Sequence, residues 1–190
     1  MILSETKNRS VCVTDRDLLT DCAVELWDCR SRYKDSKTDP VPLRDDEIQV
    51  LERLTSQGYT QINCGSSRIV LRFPEPYDNL VVKLARYGIN PTSIGMWQNH
   101  NEVKIWDKYL NSDIPLNPVY DWQEFDFKWV VMPYGKPATE CKIDEKKLKK
   151  VKQKLSKIEP LAEEEFVKPN FIVINNEYHL ADYGSLERDF

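Results

Sequence analysis

The chain has 190 residues, of which 41% are hydrophobic and 31% are charged, and its formal net charge at pH 7 is −4. This length and composition predict a single domain with its own hydrophobic core and argue against two full domains. The mildly acidic balance supplies no basic field that would attract phosphates, so nucleic acid is not expected as the main partner. No apolar run approaches the roughly 20 residues that cross a bilayer, so no membrane partner is expected either.

The cysteines do not predict a zinc site. They stand at positions 12, 22, 29, 64 and 141, form no Cys-x-x-Cys pair, and have only His100 and His179 as possible companion ligands. An odd number of cysteines without a secretory signal indicates reduced thiols. We therefore expect a cytoplasmic protein.

The first predicted element is a helix over residues 14 to 32. Its apolar side chains recur at the spacing that forms one stripe along a helix. They are Leu18, Leu19, Cys22, Ala23, Leu26 and Trp27. Thr14 is a suitable N-cap residue. The polar residues 34–42, which include two prolines, are typical of a linker to the next element.

A second helix is predicted over about residues 44 to 57, with Ile48, Leu51 and Leu54 facing inward and Gly58 in the C-terminal capping position. We favour the interpretation that both helices pack on the rest of the chain. The alternative, in which they dock on a protein partner, stays open at this point.

Two strand-like runs, Tyr59 to Cys64 and Arg68 to Phe73, flank a short loop that contains Gly65, Ser66 and Ser67. Backbone amides and hydroxyl groups in such a loop can donate hydrogen bonds to phosphate oxygens. On its own, this loop is weak evidence for a nucleotide site.

The next apolar run contains Lys83, and Glu102 follows nineteen residues later in a predicted helix. That separation leaves room for a strand, a connection and at least one helical turn, so the carboxylate can point back at the ammonium group. Residues 127–132 then form a probable buried strand, which Pro133 and Pro137 interrupt. Farther along, residues 144–158 predict an amphipathic helix with a lysine-rich outer face, more simply a solvated surface than a partner site.

A β-hairpin is predicted near the end of the sequence. The apolar runs Phe171 to Ile174 and Tyr178 to Ala181 flank two asparagines, which tolerate the positive φ angles of a tight turn. Asn170 precedes the first strand and Asp182 follows the second. Because a hairpin brings its two ends together, this amide oxygen and this carboxylate are expected side by side, in a set that suits Mg²⁺.

The order of these parts resembles the catalytic core of a protein kinase, with Asp182-Tyr183-Gly184 matching the metal-binding triplet of that superfamily. The reduced lower half is similar to small kinase-like proteins of phages and archaeal viruses. The resemblance implies an α+β fold: an antiparallel N-lobe sheet, a glutamate-bearing helix, a hinge and a reduced C-terminal lobe, preceded by two helices. It divides the chain into a helical extension at 1–58 and a core at 59–190, with the N-lobe at about 59–132, the hinge at 133–137 and the C-lobe at 138–190.

The resemblance also implies roles for individual residues, with ATP and Mg²⁺ as cofactors. The implied nucleotide-binding residues are Gly65, Ser66, Ser67, Lys83, Glu102, Met132 and Tyr134. The implied metal ligands are Asn170 and Asp182. The implied catalytic residues are Glu165 as acceptor of the substrate proton, Lys83 on the α and β phosphates, and Lys168 near the γ phosphate.

The sequence departs from the kinase pattern at several places. Glu165 stands where the family has Asp, the phosphate loop has one glycine instead of three, and six residues follow Gly184. Three hypotheses follow: a phosphotransferase acting on a specialised acceptor, a catalytically inactive pseudokinase that binds a protein partner, or a helical adaptor that only imitates these spacings. A partner would contact the N-terminal helices or the basic helix at 144–158. The location would be the host cytoplasm if the protein is viral.

Overall fold

The computed structural model describes residues 15–31, 43–87, 95–142, 144–158 and 167–184. In these ranges the chain forms a mixed α+β fold. The α-helices are α1 (Arg16–Ser31), α2 (Asp45–Ser56), α3 (Gly95–Tyr109) and α4 (Glu145–Leu155). The strands are β1 (Thr60–Cys64), β2 (Arg68–Arg72), β3 (Leu80–Ala85), β4 (Asp121–Trp122), β5 (Trp129–Pro133), β6 (Lys136–Pro137), β7 (Phe171–Ile174) and β8 (Glu177–Leu180). Single 3₁₀ turns lie at Ala138–Glu140 and Lys168–Asn170.

The larger sheet has the strand order β1-β2-β3-β5-β4, and every neighbouring pair in it is antiparallel. Strand β3 lies at its centre and is buried along its whole length. Its register places Lys83 opposite Val70 of β2 and Val130 of β5. The sheet therefore fixes the position of the lysine from both sides.

Helices α1 and α2 pack on one face of this sheet. The side chains of Leu19, Cys22, Ala23 and Leu26 are fully buried in one hydrophobic cluster with sheet residues such as Trp129. Most of the predicted apolar stripe of α1 is thus covered by the chain itself, while Leu18 and Trp27 are partly exposed. Thr14 and the predicted linker lie outside the described residues.

The predicted inward face of α2 is wrong at one position. Leu51 and Leu54 are buried, but the side chain of Ile48 is 39% exposed. The helix instead buries Glu47, because both oxygens of this carboxylate accept hydrogen bonds from the guanidinium of Arg86, at 2.9 and 3.0 Å. The buried face of α2 therefore includes Glu47 and Val50 in place of Ile48. The predicted helix end is correct, since Gly58 follows α2 with a φ of +89°.

Helix α3 packs on the opposite side of the sheet. A second hydrophobic cluster joins Val81 and Val130 of the sheet to Val103 of α3, and it continues into the second half of the chain through residues such as Leu148 and Phe171. Helix α4 buries Leu148 and Leu155, as its pattern predicts, while its lysines point outward.

The predicted hairpin is present as β7 and β8, with Asn175 and Asn176 at φ angles of 51° and 65°. Strand β6 pairs with β7 and completes a three-stranded sheet. At the open end of the hairpin, the amide of Ala181 donates to the carbonyl of Asn170, at 2.8 Å. The residues that flank the hairpin therefore meet. Within the described residues, no helix combines the length and the apolar character that a membrane crossing requires.

Candidate functional site

A cleft of about 690 Å³ lies between the five-stranded sheet and the hairpin sheet. It is lined by seven of the residues that the sequence singles out. These are Gly65, Ser66, Ser67, Lys83, Tyr134, Asn170 and Asp182. Parts of the chain more than a hundred residues apart thus face one cavity.

Three other predicted site residues are not among those shown to line the cleft. Met132 is fully buried in β5, where it pairs with Val81, and it does not line the cleft. Glu165 lies outside the described residues. Lys168 belongs to a 3₁₀ turn beside the cleft, but its side chain is not among the described parts.

Lys83 lines the cleft, and Glu102 lies buried behind it. The Nζ atom of Lys83 lies 2.6 Å from Oε1 of Glu102, and the carboxylate side chain is fully buried. The same ammonium group donates to the carbonyl of Ala181, at 2.6 Å. The ion pair is therefore buried and not solvent-exposed. One cation links β3, α3 and the residue before Asp182.

Arg68 is the residue that the sequence analysis missed. It begins β2, its side chain is 7% exposed, and it reaches both carboxylates of the site. Its Nη1 lies 3.0 Å from Oε1 of Glu102, and its Nη2 donates to Oδ1 of Asp182. The site therefore contains two cations, Arg68 and Lys83, and two anions, Glu102 and Asp182.

Burial and neighbouring charges shift the pKa values of three of these four side chains, Lys83, Asp182 and Arg68. Burial lowers the pKa of Lys83, and the nearby Arg68 lowers it further, against the opposing effect of Glu102. Burial alone would raise the pKa of Asp182, but the charges of Arg68 and Lys83 outweigh it and leave this pKa below its ordinary value. For Arg68, burial is likewise outweighed, by Asp182 and Glu102, and its pKa is raised. The carboxylate and the guanidinium are thus charged at neutral pH.

The segment after Asp182 is fixed tightly against its surroundings. Tyr183 is fully buried, and its hydroxyl donates to the carbonyl of Asn117, at 2.8 Å. The Nδ2 of Asn101 in α3 donates to the carbonyl of Gly184, at 3.0 Å. A Cβ on Gly184 would lie 2.2 Å from the backbone oxygen of Gln98, so only glycine allows this close approach. These contacts hold Asp182 at the edge of the cleft.

The loop between β1 and β2 is held in place by Arg86, the residue after β3. The guanidinium of Arg86 donates to the carbonyl of Gly65, and the amide of Arg86 donates to the carbonyl of Ser67, at 2.7 Å. Across the loop, the amide of Gly65 donates to the carbonyl of Arg68, at 2.8 Å. Because Arg86 is itself paired with the buried Glu47, helix α2 helps to set the position of the loop.

The lining of the cleft also includes apolar side chains. Val70 and Val81 line it from the large sheet, and Ile172 lines it from the hairpin sheet. Tyr134 also lines the cleft. The guanidinium of Arg72 lies over its ring, 4.5 Å from the centroid. The amide of Tyr134 donates to the carbonyl of Asn79, at 2.7 Å, so this donor is engaged within the protein. Valine and isoleucine on facing sheets form a slot suited to a flat ring.

The expected magnesium ligands do not fit a metal centre in this arrangement. Asn170 and Asp182 both line the cleft, but Oδ1 of Asp182 accepts from Arg68. A divalent ion at this carboxylate would lie close to two cations, Arg68 and Lys83. Among the described residues, no group of three or more His, Cys, Asp and Glu side chains is placed to hold a metal ion.

Comparisons with known proteins add no assignment to this site. No protein-family model matches the chain, and no curated protein is significantly similar to it.

Proposed function

We propose that this protein is a kinase-like nucleotide-binding protein, and that its cleft takes an adenine nucleotide. The order of elements supports this: a phosphate-type loop, a central strand with Lys83, a helix with Glu102, a hinge-like segment and a hairpin that ends at Asp182. The single observation that carries the proposal is that Lys83, which lines the cleft, is held by an ion pair with the buried Glu102. A buried lysine held by a carboxylate in a cavity is a typical feature of functional sites.

The ammonium group of Lys83 has one hydrogen-bond donor left for a phosphate. An ammonium group carries three hydrogen-bond donors, and Glu102 and Ala181 take two of them. A phosphate oxygen that enters the cleft can take the third. Because the ion pair holds the ammonium in place, little side-chain entropy is lost when the ligand binds.

The apolar lining of the cleft favours a nucleobase. Val70, Val81 and Ile172 would contact the two faces of a flat ring, and Pro133, Tyr134 and Gly135 also line the cleft. The phosphates would then lie close to the ammonium group of Lys83. A cavity of about 690 Å³ has the size range of known small-molecule sites.

Binding without catalysis is the version that the site supports best. In this arrangement Asp182 is engaged by Arg68, whereas a transferase would need that carboxylate for a metal ion. The role of Glu165 as acceptor of the substrate proton stays a prediction, as does transfer to a specialised acceptor. The lysine-rich outer face of α4 is a candidate surface for a protein partner.

The test is calorimetric titration of ATP into the wild-type protein, Lys83→Met and Lys149→Met. Lys149 is an exposed lysine of α4 outside the cleft and serves as the matched control. Loss of one charged hydrogen bond predicts that Lys83→Met weakens ATP affinity about tenfold or more, while Lys149→Met binds like the wild type. If a folded wild-type protein does not bind ATP, the proposal is wrong. Incubation with radiolabelled ATP and candidate acceptors then separates binding from transfer.

A further inference from the structure

Arg68 lies against the carboxylate at which the kinase resemblance implies a metal ion. Its guanidinium lines the cleft and contacts Asp182 on one side and Glu102 on the other. Its Nη1 also lies 3.4 Å from the Oδ1 of Asn99, which helps to fix its orientation. In a metal-dependent nucleotide site, the ion lies between a carboxylate and the phosphates and neutralises both.

The charge balance of the cluster disfavours a further cation. Arg68 and Lys83 together offset Glu102 and Asp182, so the four side chains sum to zero. Without Arg68 the same set would carry one negative charge and would attract a divalent ion. With Arg68 present, a Mg²⁺ at Asp182 meets repulsion from two cations that are themselves almost wholly buried.

The guanidinium also has donors to spare for a ligand. It carries five N–H donors in a rigid fork, and a fork of this kind matches the oxygens of phosphate groups. The contacts to Glu102, Asn99 and Asp182 use only part of this set. The rest of the fork can donate to a phosphate while the contact to Asp182 is kept.

We propose that Arg68 is a built-in cation that replaces Mg²⁺, so that the cleft binds the nucleotide as its metal-free polyphosphate anion. The proposal rests on the nucleotide-binding function proposed above and deepens it. Asp182 then positions Arg68 and does not ligate a metal ion. The triphosphate contacts the two cations, Arg68 and Lys83.

The first experiment compares ATP affinity in EDTA and in excess Mg²⁺ by calorimetry on the full chain. The expected result is binding in EDTA at least as tight as in Mg²⁺. Binding that requires Mg²⁺ overturns the Arg68 inference but leaves the nucleotide function intact. No binding in either buffer overturns the nucleotide function itself, so the two failures are distinguishable.

The second experiment uses variants at the two partners. Arg68→Met should weaken binding in EDTA about tenfold or more, because a charged hydrogen bond to phosphate is lost. Arg68→Lys should restore part of the affinity. Arg53→Met, at an exposed arginine of α2, is the matched control. If Arg68→Met is folded by circular dichroism and binds ATP in EDTA like the wild type, the inference is wrong.

Asp182→Asn separates the two roles of the carboxylate. If Asp182 ligated a metal ion, Asp182→Asn would weaken ATP binding in excess Mg²⁺. If it only contacts Arg68, removal of a negative charge beside the phosphates should leave ATP affinity in EDTA equal or higher, because Glu102 and Asn99 still hold the guanidinium. A loss of ATP affinity of more than about threefold exceeds what one exposed ion pair typically contributes, and it would contradict the inference.

Discussion

Lys83 Nζ lies 2.6 Å from Glu102 Oε1, and Arg68 Nη1 lies 3.0 Å from the same oxygen. One fully buried carboxylate atom therefore serves two buried cations from two adjacent strands. This shared contact connects α3 to the centre of the sheet and holds both cations at the cleft. The contacts at this point decide both the stability of the site and its ability to bind an anion.

Glu102→Gln should destabilise the fold strongly. The amide keeps the shape of the side chain but removes its charge, so two buried cations lose their shared counter-ion. Removal of one member of a buried ion pair typically costs about 3–5 kcal/mol, and we expect about 3 kcal/mol here because Asp182 still faces Arg68. Urea denaturation measures this loss. The exposed Glu52→Gln should stay within about 0.5 kcal/mol of the wild type, and a loss below about 1 kcal/mol for Glu102→Gln would contradict the energetic role of the pair.

Gly184→Ala should destabilise the segment that carries Asp182. The new Cβ would lie 2.2 Å from the backbone oxygen of Gln98, so the segment must move away from α3. Overpacking of this kind costs about 1–3 kcal/mol. Gly65→Ala is the matched control, because a Cβ there meets its nearest neighbour at an ordinary 3.5 Å. Equal unfolding free energies for the two variants would show that the contact between Gly184 and α3 is not tight.

The ion pair of Asp182 should make stability depend on pH in the acid range. Burial alone would raise the pKa of this carboxyl, but Arg68 and Lys83 lower it overall below its ordinary value of 3.8. The folded protein therefore binds the proton less readily than the unfolded chain does, and the stabilisation is present above pH 3.8 and is lost as the pH falls through the folded pKa. The difference in unfolding free energy between wild type and Asp182→Asn should be constant from about pH 5 to 8 and shrink below about pH 4. Parallel pH curves for the two proteins, followed as far as both stay folded, would refute this.

Glu47 and Arg86 should show strong coupling. Both side chains are fully buried, and the pair joins α2 to the end of β3. Glu47→Leu alone leaves a buried guanidinium without its carboxylate, with an expected loss of about 3–5 kcal/mol. The double variant Glu47→Leu with Arg86→Met should recover at least half of that loss, since no charge is then buried. A double-mutant cycle from urea denaturation measures the coupling, and simple additivity would contradict it.

The elements of this fold follow from local patterns in the sequence. The hairpin from Phe171 to Leu180 is specified by two short apolar runs and a central Asn-Asn pair, which adopts the positive φ angles that the turn needs. The helix positions follow from the apolar period in the same way. Boundaries differ from those expected by one to three residues, because helix ends depend on capping contacts.

Other features depend on partners far away along the chain. Arg68 contacts Asp182 across 114 residues, and nothing near Arg68 in the sequence distinguishes it from an arginine on the solvent face of a strand. The apolar spacing in α2 predicts that Ile48 faces inward, because a carboxylate such as Glu47 is rarely buried. Its partner Arg86 lies 39 residues ahead. Long-range charge pairs are therefore what the sequence patterns do not reveal.

Met132 illustrates a different limit. The sequence places it next to the hinge-like Pro133, but the antiparallel pairing of β5 with β3 turns Met132 into the core. An apolar run does not specify which of its residues faces a cavity when the strand is buried on both sides.

The most direct measurement is a crystal structure of the protein with a non-hydrolysable ATP analogue in a buffer that contains EDTA. The account predicts triphosphate density within hydrogen-bond distance of Lys83 and Arg68, the base between Val70 and Ile172, and the contact of Arg68 with Asp182 retained. An analogue bound at another surface, or a cleft that stays empty at a concentration where calorimetry shows saturation, would contradict the central claim that this cleft is a nucleotide site.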